Sequence, residues 1–459
     1  MLTSFVTEPL LTGLGAGGYM LVVPPVGEPV LLDFFVAAPG RGADVSARSP
    51  LEAVDVSFGD VVQVFHIGAS SVGAYGTPAG VCSAADRFGT VPLAELAAPA
   101  ALLARDGVEV NAQQAYLFEI LAVIYSSTPE ARALYMPDGR IPHAGDVLRD
   151  PELGVALQRL GEEGAAPFYS GDIASSVCSR VLELGGALTM EDLAGYEAEP
   201  REPVRVRYRG HDVVTNPPPS AGGTLLAYAL ALLERGSGTP GAAELVAAME
   251  RAQSERTPEF LSGLASPRFL ERFMASRLGS TTHISVLDGD GWACSVTCTN
   301  GEGSGIVVPG TGMHLNNIMG EEDLSPLGFF NHPPGRRLPS MMAPTVVLGA
   351  EGAPPELALG SAGSNRIRSA LLQVIVNVLD RGMDAAEAVC APRLHFEDRT
   401  VYAEPGIDGA ALEAGGYTVA WFRDLNLFFG GCQAVEHDPV TGTFAGGGDP
   451  RRGGAVVAA

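Results

Sequence analysis

Thr281-Thr-His-Ile-Ser-Val-Leu-Asp-Gly-Asp-Gly-Trp-Ala-Cys-Ser-Val-Thr297 is the stretch on which the fold turns. His283 to Leu287 and Trp292 to Thr297 alternate in the manner of strands, and Asp288-Gly-Asp-Gly291 supplies a turn between them, so the segment reads as a β-hairpin. The residues before it, Gly236 to Ser280, are polar, rich in Arg and Glu and without a steady period. The change at Thr281 is therefore abrupt. A threonine at the head of a strand has a chemical use beyond opening a hairpin. If the chain is cut before it, the freed α-amine can take the proton of the same residue's hydroxyl and make it a nucleophile. Local pattern alone favours the plainer reading, in which Ser280-Thr281-Thr282 only begins the hairpin.

Working outward, Tyr19 to Pro24 and Pro29 to Ala37 read as neighbouring strands after a Gly-rich turn at Gly13 to Gly18. Apolar residues recur at helical spacing from Pro92 to Ala104 and from Ala112 to Ser126. Ser170 to Ala194 gives two helical segments broken at Gly185-Gly186, and Asn216-Pro-Pro-Pro-Ser-Ala-Gly-Gly223 reads as an ordered loop or helix entrance. Downstream, Pro344 to Leu348 and Leu357 to Leu359 read as strands and Ile367 to Leu379 as a helix. Short strands follow, closing at Arg452.

The balance of 53 acidic against 29 basic residues gives a net charge of −24, a surface that repels phosphates. Nucleic acid and anionic membrane are thereby excluded as partners, and a small-molecule substrate is expected. Every residue counted as Lys or Arg is Arg. Lysine-based Schiff-base, P-loop and Ser-Lys chemistries are absent with it. The six cysteines form no CxxC pair and read as free thiols. Met1 to Pro9 carries no signal-peptide pattern and no stretch of about 18 apolar residues follows, which reads as a cytoplasmic chain. His66, His314 and His332 lack metal-ligand spacing, so neither metal nor cofactor is expected.

A set of motifs in register decides the reading of Thr281. Thr281-Thr-His-Ile-Ser-Val-Leu-Asp288, Thr297-Cys-Thr299, Gly305-Ile-Val307, Leu315-Asn-Asn317, Pro344-Thr345 and Gly360-Ser-Ala-Gly-Ser-Asn-Arg-Ile367 occur in order. Upstream stand Gly15-Ala-Gly-Gly-Tyr-Met20, Gly76-Thr-Pro78, Ala104-Arg-Asp-Gly107, Phe168-Tyr-Ser-Gly171, Glu191-Asp-Leu193 and Pro217-Pro-Pro-Ser-Ala-Gly-Gly223. With these the chain resembles the γ-glutamyltranspeptidase family over nearly its whole length. The resemblance implies an α+β fold, the four-layer αββα sandwich of the N-terminal-nucleophile hydrolases. It implies autocleavage into a large subunit, residues 1–280, and a small subunit, residues 281–459, which together form one structural unit and could assemble into a homo-oligomer. Thr281 would be the nucleophile and Thr299 would hydrogen-bond its hydroxyl. The main-chain amides around Gly363 and Ser364 would form the oxyanion hole.

The resemblance is incomplete where the substrate would sit. γ-Glutamyl-processing members grip the α-carboxylate with an Arg in an Asp-Phe-Arg-Glu motif, and here the segment reads Asp33-Phe-Phe-Val36, with Phe35 at the clamp. A phenyl ring cannot supply a bidentate Arg–carboxylate contact. The family's Ser-Ser pair corresponds to Ser340-Met341, its amine-binding acid to Glu321, and its substrate-binding Asn to Asn300. Arg366, Arg336 and Arg337 are the candidates to replace the clamp, with a structural role the expectation for Arg366. Family members usually have several dozen helical residues before the segment matching Val6 onward, so either the start given is short or this branch has lost them.

The reading is thus an autoprocessing threonine hydrolase or acyltransferase acting through an acyl-enzyme on a substrate other than glutathione. An alternative, carried by the absence of Lys and by Phe35 and Met341, is a C–C bond hydrolase of the same fold in an actinobacterial-type pathway to 4-alkylproline antibiotics. A third is an uncleaved, non-catalytic homologue. His283 and the Cys294/Cys298 pair are expected to be structural.

Overall fold

A computed structural model describes residues 1–57, 62–254, 282–325, 328–350, 353–397 and 399–458. Thr281 and residues 255–280 ahead of it lie outside the described residues. The chain forms two compact units. The first is Met1–Gly18, Leu32–Glu199 and Cys298–Leu338; the second is Tyr19–Leu31, Pro200–Thr297 and Pro339–Ala459.

The hairpin of the second unit forms as its sequence dictates, with strands Thr282–Leu287 and Ala293–Thr299. Asp288 closes the turn, its Oδ1 accepting the N–H of Asp290 at 3.0 Å and of Trp292 at 2.9 Å. These strands lead a five-stranded sheet continued by Gly17–Val23, Val30–Phe34 and Glu199–Arg201. A six-stranded antiparallel sheet runs Thr443–Gly447, Gly431–Asp438, Pro355–Ala362, Thr345–Leu348, His211–Thr215, Val204–Tyr208. Thr282–Leu287 packs on Pro355–Ala362 and Gly431–Asp438, bringing the two sheets into contact. Helices Ala221–Glu234, Arg366–Leu379 and Ala385–Cys390 pack against the six-stranded sheet. Ala221–Glu234 is apolar nearly all round, as suits a buried helix.

The first unit is mainly helical. Leu93–Asp106 packs along Pro151–Glu163, which buries Leu153, Leu157 and Leu160 on one face. Each such leucine contributes about 1.5–3 kcal/mol of hydrophobic stabilisation. Close approach is possible because Pro151–Glu163 carries glycine at the contact. A Cβ on Gly161 would sit 2.8 Å from Ala94 Cα, and one on Gly154 would sit 2.9 Å from the Ala101 carbonyl oxygen.

Three details depart from the sequence reading. The stretch after Gly236, read as lacking a period, contains the helix Ala242–Ser254, which buries Leu245, Val246, Met249 and Ala252. The segment read as one helix from Ala112 to Ser126 is two, Ala112–Ile120 and Ala122–Tyr125, joined at Leu121. The C-terminal strands are interrupted by short helices at Ala385–Cys390 and Gly409–Ala414. All six cysteines are free, as expected; Cys298 is buried and Cys294 half-buried. Among the described residues no helix is long and apolar enough to cross a membrane.

Candidate active site

Thr282, which directly follows the candidate nucleophile, is buried at the head of its strand. The next residue, His283, turns its ring toward the six-stranded sheet, where a Cβ on Gly360 would sit 2.1 Å from the ring. Its Nδ1 lies 2.8 Å from Thr297 Oγ1 and its Nε2 2.8 Å from Ser285 Oγ. Burial pushes the imidazole pKa down to about 3, so the ring is neutral at neutral pH. A ring held at both nitrogens between two sheets is a structural residue, as the sequence suggested.

Gly363 and Ser364 form the turn between strand Pro355–Ala362 and helix Arg366–Leu379. Both have positive φ, 120° and 55°, and for Ser364 this left-handed conformation is uncommon. The turn is locked by Arg366 N–H donating to Gly363 O at 2.9 Å and Ile367 N–H to Ser364 O at 3.1 Å. Behind it stands Gly430, whose Cα would be 2.5 Å from any Cβ at position 363. A tight turn that opens a helix gathers main-chain N–H groups and the positive end of the helix dipole, an arrangement suited to a developing oxyanion. Arg366 is engaged elsewhere: its Nε donates to Phe428 O at 2.8 Å and its guanidinium stacks 4.8 Å from the Phe428 ring centroid.

The proline-rich run holds the Ser340-Met341 segment. Ser340 O accepts Ala221 N–H at 2.7 Å and Ser220 Oγ–H at 2.9 Å, while Ser340 Oγ accepts Met342 N–H at 3.0 Å. Asn216 Nδ2 donates to Met342 O at 2.8 Å. A Cβ on Gly222 would sit 1.9 Å from Met341 O, so only glycine permits this contact. Ser340 and Met341 are both buried.

In the first unit Thr299, Asn300 and Glu321 come together around Gly301. Thr299 Oγ1 accepts Gly301 N–H at 2.8 Å. A hydroxyl also carries one donor, and among the described residues that donor has no other use. A Cβ on Gly301 would lie 2.1 Å from Asn317 Oδ1 and 2.6 Å from Glu321 Oε1, so these two side chains flank the glycine. Asn300 is fully buried, its N–H donating to Leu11 O at 2.9 Å and its carbonyl accepting Asn317 N–H at 3.1 Å. The sequence reading gave Asn316 and Asn317 no role. Asn316 Nδ2 donates to Gly15 O at 2.9 Å and to Gly73 O at 3.1 Å, and Asn317 Oδ1 accepts Glu302 N–H at 3.0 Å. Two amide side chains closing an otherwise apolar run were the available signal.

Phe35 belongs to the first unit and is fully buried. Its N–H donates to Asp33 Oδ1 at 3.0 Å and its carbonyl accepts Tyr196 Oη–H at 2.6 Å. Arg337, one of the arginines that could replace the clamp, is committed to the same framework. Its Nε lies 3.3 Å from Asp33 Oδ1, its Nη2 donates to the carbonyls of Asp33 and Glu197, and its guanidinium lies 4.3 Å from the Tyr196 ring centroid.

Among the described residues no group of His, Cys, Asp or Glu could hold a metal ion. What the fold defines is an N-terminal-nucleophile hydrolase, an α+β sandwich. Its likeness to the cephalosporin acylase of Bacillus halodurans extends over 99% of this chain and 89% of that one, with a TM-score of 0.82 and 26% identity. The family model described as Gamma-glutamyltranspeptidase matches residues 1–459, and the chain belongs to that family. It is 31% identical to the Glutathione hydrolase proenzyme of Escherichia coli (strain K12), over 97% of this chain and 84% of the relative. It is 30% identical to the Acylase ACY 1 proenzyme of Pseudomonas sp. (strain SE83), over 99% and 87%. The chain is accordingly a γ-glutamyltransferase-like hydrolase.

Proposed function

We propose that the chain is a precursor cut between Ser280 and Thr281, giving subunits 1–280 and 281–459, and that Thr281 then acylates itself with the acyl group of an amide substrate other than glutathione. The α-amine of Thr281 takes the hydroxyl proton, the oxygen attacks the carbonyl, and the Gly363 and Ser364 amides stabilise the charge on its oxygen. The leaving amine takes the proton, and water or a second amine releases the acyl group. Thr299, whose Oγ1 accepts Gly301 N–H and keeps its own hydrogen to donate, is assigned as the partner of the Thr281 hydroxyl on the family resemblance. Asn300, Glu321, Ser340, Met341 and Phe35 are each assigned to substrate contact on the family resemblance alone.

The observation that carries the substrate assignment is Phe35 at the clamp position, with the neighbouring Arg337 committed to Asp33. An α-carboxylate entering such a site would be desolvated without a partner, at a cost of several kcal/mol. Two relatives are described as proenzymes and two as acylases, which supports both the cut and an acyl substrate. The test compares γ-glutamyl-p-nitroanilide with butyryl-p-nitroanilide, which keeps the acyl chain but lacks both the α-amine and the α-carboxylate. Faster turnover of the butyryl compound is expected, and preference for the γ-glutamyl compound would overturn the assignment.

The buried, apolar Phe35 and Met341 favour one second reading, attack by Thr281 on a ketone with expulsion of a stabilised carbon. Release of an oxalyl group from an oxalyl-bearing pyrroline, with neither anilide cleaved, is the result that would select it.

A further inference from the structure

Directly after the Gly363-Ser364 turn, a buried polar network joins four side chains that the proposed chemistry does not use. Asn365, the first residue beyond the turn, donates its Nδ2 to Glu397 Oε1. The other carboxylate oxygen, Oε2, lies 3.4 Å from His395 Nε2, and His395 Nδ1 lies 2.9 Å from Ser369 Oγ. Asn365, Ser369 and His395 are buried and the Glu397 side chain is 22% exposed.

The protonation states follow from this geometry. Burial alone would raise the Glu397 pKa, but the contact with His395 Nε2 and the nearby charges of Arg366 and Arg368 outweigh it and hold the carboxyl ionised. Burial holds the His395 imidazole at about 4, hence neutral. An ionised carboxylate only accepts, so His395 must carry its proton on Nε2 and Ser369 must donate to Nδ1. The same argument fixes the Asn365 amide, whose NH₂ end must face Glu397. One chain of polar contacts therefore runs from Ser369, inside the helix, through His395 and Glu397 to the residue adjoining the turn.

We propose that Glu397 is a positioning residue for the oxyanion turn: through Asn365 it fixes the orientation of the Gly363 and Ser364 amides, and His395 and Ser369 hold Glu397 in place. Ser364 occupies a left-handed conformation that needs outside restraint, and the Asn365 anchor supplies it on the helix side while Gly430 closes the other. This rests on the reading of the turn as the oxyanion site. Misplacing a catalytic group by about 1 Å costs on the order of 10²-fold in rate.

The test uses p-nitrophenyl acetate, a small activated ester that needs no specificity pocket. The acetyl group passes to Thr281 Oγ, the Thr281 amine takes the hydroxyl proton, and p-nitrophenolate leaves, so the burst rate reads acylation directly. Glu397→Leu is expected to slow the burst on the order of 10²-fold with little change in half-saturation, whereas Glu397→Gln, which keeps an acceptor for Asn365, retains most of it. Asn365→Asp opposes two carboxylates and should lose the burst. Adding Glu397→Gln to it restores a donor–acceptor pair and should recover it. A Glu397→Leu enzyme that melts lower but bursts at the wild-type rate would overturn the proposal, as would absence of recovery in the folded double variant. A wild-type enzyme with no burst that Thr281→Ala removes would instead refute the nucleophile reading.

Discussion

Arg337 places its Nε 3.3 Å from the carboxylate of Asp33, and both side chains are buried. Removing one member of such a pair leaves a desolvated charge. Arg337→Met should therefore destabilise the protein by about 3–5 kcal/mol in urea unfolding, and Asp33→Asn added to it should return much of the loss. Asn at 33 keeps an acceptor for the Phe35 N–H. If Arg337 were instead the substrate's carboxylate clamp, its removal would raise KM for a carboxylate-bearing acyl group and leave stability unchanged.

Phe35→Arg tests the pocket assignment. A guanidinium at this position should improve the KM for γ-glutamyl-p-nitroanilide, because a charge-assisted pair is stronger than a neutral contact. Native activity should fall, and stability should drop by at least the ~1.5–3 kcal/mol of lost apolar burial. A folded Arg variant with no gain in γ-glutamyl turnover would remove Phe35 from the pocket.

Local chemistry made part of this protein legible before its structure. The hairpin was readable because Asp288 and Gly291 are turn residues and the flanking strands alternate. The Arg366–Leu379 helix was readable from its period. Ala242–Ser254 was not, since its alanines dilute the periodicity and only packing selects Leu245, Val246 and Met249 as a face. Thr77–Phe88 was likewise passed over, being rich in Ala, Gly and Ser. At the site, positions such as Gly363 and Ser364 were proposed through motif resemblance. The Glu397–Asn365 bond joins residues 32 apart and has no local signature.

His283 and His314 are both buried, with pKa values pushed down to about 3 and about 4 from an ordinary 6.5. Above about pH 6.5 both are neutral folded or unfolded, and stability is full. As pH falls below that, the unfolded chain takes up protons that the folded one refuses. Each histidine then withdraws up to about 1.4 kcal/mol per pH unit until its folded pKa is reached, about 2 kcal/mol each between pH 6.5 and pH 5. The urea midpoint should drop between pH 7 and pH 5, and His283→Gln should shrink that drop even though it lowers the midpoint at pH 7. An unchanged slope in the variant would mean that His283 titrates normally.

The central claim is that Thr281 becomes a chain terminus, and the mass of the purified, active protein tests it most directly. Intact mass spectrometry should find two polypeptides, residues 1–280 and 281–459, the second beginning with a free threonine amine. Thr281→Ala should give one uncut chain without activity. A single full-length chain that is active, with an ordinary peptide bond between Ser280 and Thr281, would contradict the account.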